Sequence, residues 1–174
     1  VWMGEILFRT KLSENLFKGL SPWLSKLPGG LIHVNVVGCG LFAAISGSSA
    51  ATVATVGKMS IPELRKRKYP EKILLGSLAG SGTLGLLIPP SIILIIYGVT
   101  IEDSIAKLFM AGILPGIMLA VIFMLYVVIW STINKKQMPI ISENFSFSEK
   151  IKKSKQLLPV VLLITAVIGS IYTG

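Results

Sequence analysis

Two polar, turn-forming stretches interrupt long hydrophobic runs in this chain. Apolar runs cover Leu31–Ile45 and Ala50–Gly57, with the tetrapeptide Ser46-Gly47-Ser48-Ser49 between them. A third run covers Ile73–Thr100 and contains the stretch Gly80–Ser91, in which three glycines precede a double proline. Runs of this kind can enter a bilayer, where backbone amides and carbonyls must find hydrogen-bond partners. The pattern therefore predicts interrupted helices whose free backbone groups are buried in protein or line a site.

The remaining pattern predicts an amphipathic helix, further crossings and a basic loop. Residues 1–28 alternate apolar and charged positions, which is typical of a helix at the membrane interface; packing against the rest of the protein is the alternative. Residues 104–134 are predicted to form a transmembrane helix with Pro115 in its first half. Residues 135–156 are predicted to form a cytoplasmic loop, and residues 157–174 the start of a further, truncated crossing. We expect the chain to be part of a larger permease.

Residues 29–99 hold both interruptions and are predicted to form part of a transport core. A helical hairpin over residues 30–63 would turn at Ser46–Ser49, and a broken helix over residues 72–99 would follow it. Paired interrupted helices indicate the binding centre of a secondary transporter.

The distribution of charge selects between two topologies for the hairpin. All 17 Lys and Arg residues except Lys107 fall in three clusters, before residue 27, over residues 58–72 and over residues 135–155. A hairpin segment that crossed the membrane once would place the first two clusters on opposite faces, whereas a re-entrant hairpin places all three on one face. Basic residues accumulate on the cytoplasmic side. We therefore predict a re-entrant hairpin that enters from the cytoplasm.

Composition excludes several classes of protein. Apolar residues make up 52% of the chain and charged residues 14%, which leaves too little polar surface for a soluble domain. The net charge of +9 does not indicate nucleic-acid binding, because the basic residues lie in short segments between apolar runs. Phosphate-loop, metal-ligand and nucleophile–base patterns are absent from the sequence, so no enzyme is predicted. These features predict an all-α integral membrane protein.

The hairpin tip offers groups of opposite polarity to ions. A helix that ends near Ile45 presents free carbonyls, which suit a cation, and a helix that begins near Ala50 presents free amides, which suit an anion. Gly47 permits the sharp turn, and four hydroxyls add oxygen ligands: Ser46, Ser48, Ser49 and Thr52. Packing through small residues is the alternative interpretation.

The second interruption predicts a similar site. Pro89 and Pro90 lack amide hydrogens and cannot continue an ordinary helix, which frees the carbonyls of Gly85–Ile88. Ser81, Thr83 and Ser91 offer hydroxyls beside them. A simple proline kink is the alternative.

The membrane segments hold almost no ionisable side chains, which bears on the coupling ion. Residues 73–101 contain no Asp, Glu, Lys, Arg or His, and Leu31–Gly57 contains only His33. Proton carriers usually place an ionisable relay in the membrane, whereas neutral oxygens at helix breaks suit Na⁺. Arg67 belongs to a basic loop that is either a solvated positive-inside segment or a contact for a substrate carboxylate near the base of the hairpin.

Four stretches of the chain resemble the large permease subunit of tripartite ATP-independent periplasmic (TRAP) transporters. These are GLFAAISGSSAATVATVG over Gly40–Gly57, YPEKILLGSLAGSGTLGLLIPPSIILIIY over Tyr69–Tyr97, FMAGILPG over Phe109–Gly116 and IGSIYTG over Ile168–Gly174. YPEK and SGTLGLLIPPS resemble the sialic-acid type in particular. The sequence differs from the usual pattern at Lys68, where a glycine precedes the tyrosine in that family.

The resemblance implies an elevator-type carrier in the bacterial cytoplasmic membrane that couples Na⁺ to uptake of a small organic anion, such as sialic acid or a C4-dicarboxylate. It implies two protein partners, a small four-helix membrane subunit and a periplasmic solute-binding protein, besides the substrate and membrane lipid; no cofactor is expected beyond the coupling ion. The Na⁺ contacts would come from Ser46, Gly47, Ser48, Ser49, Thr83, Gly85 and Ile88. The substrate contacts would come from Ser49, Ala50, Pro89, Pro90, Ser91 and Arg67. The alternatives are a receptor-independent sodium/dicarboxylate carrier and a membrane scaffold that transports nothing.

Overall fold

The computed structural model describes residues 12–139 and 147–173, and every regular element in these two stretches is helical. The helices are α1 Leu12–Leu24, α2 Ile32–Ser46, α3 Ser49–Lys66, α4 Glu71–Gly82, α5 Leu84–Leu87, α6 Ile92–Thr100, α7 Ile105–Ile133, α8 Phe147–Ser154 and α9 Leu158–Thr173. Short 3₁₀ turns follow α7 at Lys135–Gln137 and α8 at Lys155–Leu157. The prediction of an all-α protein is confirmed for the described residues.

Helix α2 lies at the centre of the molecule although it is short. Helices α1, α3, α4, α5 and α7 all pack against it, and most of its residues are buried, including the polar residues His33 and Asn35. Its 15 residues rise about 22 Å, less than the ~30 Å of a hydrocarbon core. Helix α2 is therefore surrounded by protein.

The two ends of the helical hairpin formed by α2 and α3 meet at Tyr69. Lys68 takes a left-handed conformation with φ 59°, and its amide donates to the Arg65 carbonyl at 2.9 Å. The Tyr69 amide donates to the Leu64 carbonyl at 3.0 Å, so the end of α3 forms a Schellman motif. The Tyr69 hydroxyl accepts a hydrogen bond from the Leu31 amide at 3.1 Å. Helix α3 continues past the predicted end at residue 63 to Lys66. The hydrogen bond between Leu31 and Tyr69 therefore holds the chain just after α3 next to the start of α2.

Helices α4, α5 and α6 follow one another along a single interrupted segment. Thr83 alone separates α4 from α5, whereas the chain is fully unwound over residues 88–91 before α6 begins. The segment Glu71–Thr100 and helix α7 are each long and apolar enough to cross a bilayer. Their large side chains are widely exposed, for example Ile96, Val99 and Leu114. Apolar faces of this kind suit contact with lipid or with other membrane-embedded helices.

Helix α1 packs on the rest of the protein through one apolar face. Leu16, Phe17 and Leu20 are buried, and an added Cβ on Gly19 would lie 2.6 Å from Leu157 Cγ. Packing against the rest of the protein, which was the alternative to an interfacial position, therefore describes this face of α1. Residues 1–11, which the interfacial prediction also covers, lie outside the described residues.

The segment predicted as a cytoplasmic loop, residues 135–156, contains regular structure in its described part, and its position on the cytoplasmic side stays a prediction. Helix α8 occupies residues 147–154 and leads through the second 3₁₀ turn into α9. Phe147 and Ile151 are one helical turn apart, and Glu149 lies in the first turn, where the helix dipole favours an acid. This short-range pattern is helical, although its high charge resembles that of a loop.

Candidate functional site

Gly47 and Ser48 form the tip of the hairpin. Gly47 has φ 62°, and its amide donates to the Ala43 carbonyl at 3.0 Å, which ends α2. Ser48 caps α3: its hydroxyl accepts from the Ala51 amide at 3.5 Å, and its carbonyl accepts from the Thr52 amide at 3.0 Å. A glycine followed by a serine cap thus explains the turn locally.

The hydroxyl groups at the tip differ in what they are bonded to. Ser46 Oγ lies 2.7 Å from Thr52 Oγ1 and donates to the Ser48 carbonyl at 3.2 Å. Ser49 Oγ is buried and has no hydrogen-bond partner among the described residues. A buried polar atom without a partner costs about 1–3 kcal/mol. Ser49 is therefore the tip hydroxyl that a bound ion or solute would stabilise most.

Backbone amides add to the site at the start of α3. The first four amides of a helix have no acceptor within that helix. Those of Ala51 and Thr52 are bonded to Ser48, which leaves the amides of Ser49 and Ala50 directed out of the first turn. Ala50 is exposed. This end of α3 carries the partial positive charge that attracts an anion.

The unwound segment between α5 and α6 is the second half of the site. Ile88 and Ser91 have extended backbones, and a cis peptide bond joins Pro89 and Pro90. The Ser91 hydroxyl, which is fully buried, donates to the Leu86 carbonyl at 2.8 Å. Because the two prolines offer no amide hydrogens, the carbonyls that a regular helix would bond at this level are left for other donors or ions.

The hairpin tip and the unwound segment are in direct contact. The Ile92 amide donates to the Gly47 carbonyl at 3.3 Å. An added Cβ on Gly47 would lie 2.6 Å from the Pro90 carbonyl oxygen, and one on Gly85 would lie 3.0 Å from the Ser49 nitrogen. Glycine is needed at both positions because backbone meets backbone there. The structure thus brings together two interruptions that are about forty residues apart in the sequence.

Two glycines of α7 that the sequence analysis did not assign to the site also approach the break. An added Cβ on Gly112 would lie 2.6 Å from the Leu87 carbonyl oxygen, and one on Gly116 would lie 2.9 Å from Ile88 Cγ1. Their spacing of four residues is the small-residue pattern that lets membrane helices approach closely. That spacing was the signal available in the sequence.

The structure does not bring Thr83 or Arg67 to the tip. Thr83 is exposed, and its hydroxyl donates to the Gly80 carbonyl at 2.7 Å on the outer surface of the helix. Arg67 lies beyond the far end of α3, about 27 Å from Ser49 at 1.5 Å per residue. Its Nε lies 2.9 Å from Glu63 Oε1. Neither side chain therefore contacts the tip in this structure. That Thr83 binds an ion at the second interruption, and Arg67 a substrate carboxylate near the base of the hairpin, stays a prediction.

The chemistry that this arrangement allows is coordination by uncharged oxygen. Within residues 12–139 and 147–173 there is no group of three or more His, Cys, Asp and Glu residues that could hold a metal ion. The tip and the break instead present serine hydroxyls and backbone carbonyls. Such ligands suit a hard cation of low charge.

Comparison with known proteins assigns the chain to a family. The family model described as "Tripartite ATP-independent periplasmic transporter, DctM component" matches residues 1–174. The chain belongs to this family. The relatives of this chain are named as large permease proteins of transporters, and none of those described below is named as an enzyme.

The relatives carry names that refer to different solutes. The chain is 41% identical to the C4-dicarboxylate TRAP transporter large permease protein DctM of Pseudomonas aeruginosa, over 98% of this chain and 39% of that protein. It is 32% identical to the sialic acid TRAP transporter large permease protein SiaM of Vibrio cholerae and 32% identical to the ectoine/5-hydroxyectoine TRAP transporter large permease protein UehC of Ruegeria pomeroyi, in each case over 100% of this chain and 40% of the relative. The chain thus spans about two fifths of the length of these relatives.

Proposed function

We propose that this chain contributes one half of the ion and solute site of a sodium-coupled permease that takes up a small organic anion. The observation that carries the proposal is the contact between the hairpin tip and the unwound segment, through the Gly47 carbonyl and the Ile92 amide. Interrupted helices that meet in this way place helix ends of opposite polarity side by side in the membrane.

In the proposed site, Na⁺ binds to uncharged oxygens at the tip. Ser49 Oγ is the side-chain ligand with the strongest support, because it is buried and lacks a partner among the described residues. Carbonyls at the end of α2 and next to the double proline would supply further ligands. Ser46, Gly47, Ser48, Gly85 and Ile88 hold these groups in place through the turn and the close packing described above.

The substrate is proposed to be a carboxylate-bearing solute, with its negative charge near the first turn of α3. The amides of Ser49 and Ala50 and the dipole of α3 favour an anion at that point. Pro89, Pro90 and Ser91 border the same space from the unwound segment. Binding of Na⁺ would order the tip first and so raise the affinity for the anion. This order of binding couples the Na⁺ gradient to uptake of the anion.

The hairpin is proposed to be re-entrant and to enter from the cytoplasm. Three observations support this topology: α2 is short, it is surrounded by protein, and the Leu31–Tyr69 hydrogen bond returns the chain to its starting level. The basic clusters then share the cytoplasmic face. We further propose an elevator-type movement of this unit. We also propose assembly with a small membrane subunit and a periplasmic binding protein, because the family is described as a tripartite periplasmic transporter and its relatives are named large permease proteins.

The experiment that tests the function is solute uptake into proteoliposomes. They would contain the full-length permease with its small subunit, and the binding protein would be added outside together with candidate organic acids. We expect uptake with an inward Na⁺ gradient and none with a matched K⁺ gradient. Uptake driven only by a proton gradient would contradict the sodium proposal.

Two other results would each support a different function. Uptake of the free acid without the binding protein would indicate a receptor-independent carrier. A protein that takes up no candidate acid, and whose thermal stability responds equally to Na⁺ and K⁺, would be a scaffold.

A further inference from the structure

Trp23 connects helix α1 to helix α8, near the point where the charged helix α8 is followed by the apolar helix α9. Its indole N–H donates to Ser154 Oγ at 2.8 Å, and Lys150 Nζ lies 5.4 Å from the centroid of its ring. Both partners lie on one face of α8, because they are four residues apart. The cation–π contact holds the Lys150 ammonium in place without neutralising its charge.

Exposed apolar and basic residues adjoin this contact along the chain. Trp23 is 47% exposed although its N–H is bonded, and Leu158, the first residue of α9, is 59% exposed. Lys155 is exposed in the 3₁₀ turn between α8 and α9. We refer to Trp23, Lys150, Ser154, Lys155 and Leu158 as the Trp23 cluster.

We propose that the Trp23 cluster binds the headgroup of an anionic phospholipid. Tryptophan rings prefer the headgroup level of a bilayer, and lysines beside apolar side chains direct their ammonium groups to the same level. Leu158 begins a helix whose outward side chains are apolar, so acyl chains can pack beside it while the phosphate lies near the lysines. Each lysine at such a boundary strengthens the attraction of an anionic lipid about fivefold.

Charge and position both select a lipid as the occupant. Residues 147–157 contain four lysines and one glutamate, so this segment of the sequence carries a net positive charge. The exposed apolar surface of Trp23 and Leu158 would be left in water by a small soluble anion but is covered by a lipid. The proposal concerns lipid binding and is independent of the proposed transport function.

The test measures lipid binding to the full-length permease in nanodiscs of phosphatidylcholine, with or without phosphatidylglycerol, followed by native mass spectrometry of the released complexes. We expect the wild-type protein to retain phosphatidylglycerol in preference to phosphatidylcholine. The double variant Lys150→Gln/Lys155→Gln should reduce that retention at least about fivefold, as expected for the loss of one or more lysine contacts. Trp23→Leu, which keeps an apolar side chain but loses the ring, should reduce it as well.

The matched control is Lys135→Gln/Lys136→Gln, which removes the same charge from exposed lysines in the other 3₁₀ turn. We expect this control to keep the wild-type retention. Equal losses in both double variants would show a general effect of charge and overturn the proposal, as would equal retention of the two lipids by the wild type. Displacement of phosphatidylglycerol by soluble glycerol phosphate would instead identify a site for free anions. Unfolding midpoints in detergent would confirm that each variant is folded.

Discussion

The Gly47 carbonyl accepts a hydrogen bond from the Ile92 amide at 3.3 Å, so the tip of the hairpin and the start of α6 are bonded to each other. The bond pairs two backbone groups that have no partner within a helix, because α2 ends at Gly47 and the two prolines interrupt the helix before Ile92. The two interruptions therefore stabilise each other. A substitution that distorts one interruption should therefore also distort the other.

Replacing Gly47 with alanine should separate the tip from the unwound segment. The new Cβ would lie 2.6 Å from the Pro90 carbonyl oxygen in a residue with φ 62°, and left-handed backbone alone costs about 1–2 kcal/mol for a residue with a side chain. We expect a lower unfolding temperature and loss of Na⁺-specific thermal stabilisation in the full-length protein. Gly76→Ala is the control, since an added Cβ there meets no atom within 4 Å; it should be neutral or stabilising. Equal effects of the two substitutions would contradict the proposed contact.

Removing the Ser49 hydroxyl should weaken Na⁺ binding without destabilising the empty protein. The hydroxyl has no partner among the described residues, so Ser49→Ala loses no hydrogen bond within them. If it is a ligand, its loss should weaken binding by about 1–3 kcal/mol and raise the Na⁺ concentration for half-maximal uptake about fivefold or more. Thr83→Ala is the control, because that hydroxyl lies on the exposed surface of the helix. An unchanged Na⁺ dependence in Ser49→Ala would exclude the hydroxyl as a ligand.

Glycine in place of Lys68 should stabilise the protein. Lys68 has φ 59°, a conformation that glycine adopts without strain, which explains why a glycine is expected at this position in the family. We expect Lys68→Gly to raise the free energy of unfolding by about 1 kcal/mol. The same change at Lys66, which is exposed and helical, should lower it by about 1 kcal/mol. Chemical denaturation measures the change in the free energy of unfolding in each variant. If Lys66→Gly were also stabilised, loss of the positive charge, and not relief of backbone strain, would explain the effect.

The Tyr69 hydroxyl should protect the base of the hairpin. Tyr69→Phe removes the acceptor of the buried Leu31 amide, which should cost about 1–3 kcal/mol because the donor is left unpaired. Hydrogen exchange at Leu31 should accelerate, while exchange at the tip changes less. Tyr126→Phe, on the exposed face of α7, should leave both stability and exchange unchanged. Slow exchange at Leu31 in the Tyr69→Phe variant would show that burial alone protects this amide.

The proposed topology can be tested with single cysteines in a Cys39→Ala background. Lys66→Cys and Lys135→Cys should react with an impermeant thiol reagent from the cytoplasmic side, because two crossings lie between them. Glu102→Cys, in the connection between the two crossings, should react only from the other side. Reaction of Lys66→Cys and Lys135→Cys from opposite sides would refute the two-crossing arrangement that the re-entrant topology requires.

The sequence by itself determined the features that depend on short stretches of chain. Apolar runs predict helices in a membrane, Gly47 followed by Ser48 predicts a turn and a helix cap, and the double proline removes the amides that a helix needs. These effects act between residues a few positions apart. For that reason the helical class and the positions of both interruptions could be predicted without coordinates.

Only the tertiary structure decided which groups face the site. Thr83 and Ser49 are both hydroxyl residues at interruptions, yet Thr83 lies on the outer surface and Ser49 Oγ is buried beside Gly85. The length of α3 places Arg67 far from the tip and next to Glu63. These outcomes depend on how whole helices rotate and pack, because close approach at Gly47 and Gly85 requires matching backbone surfaces from segments distant in sequence. Local residue patterns determine where each helix ends but not how one helix is rotated against another.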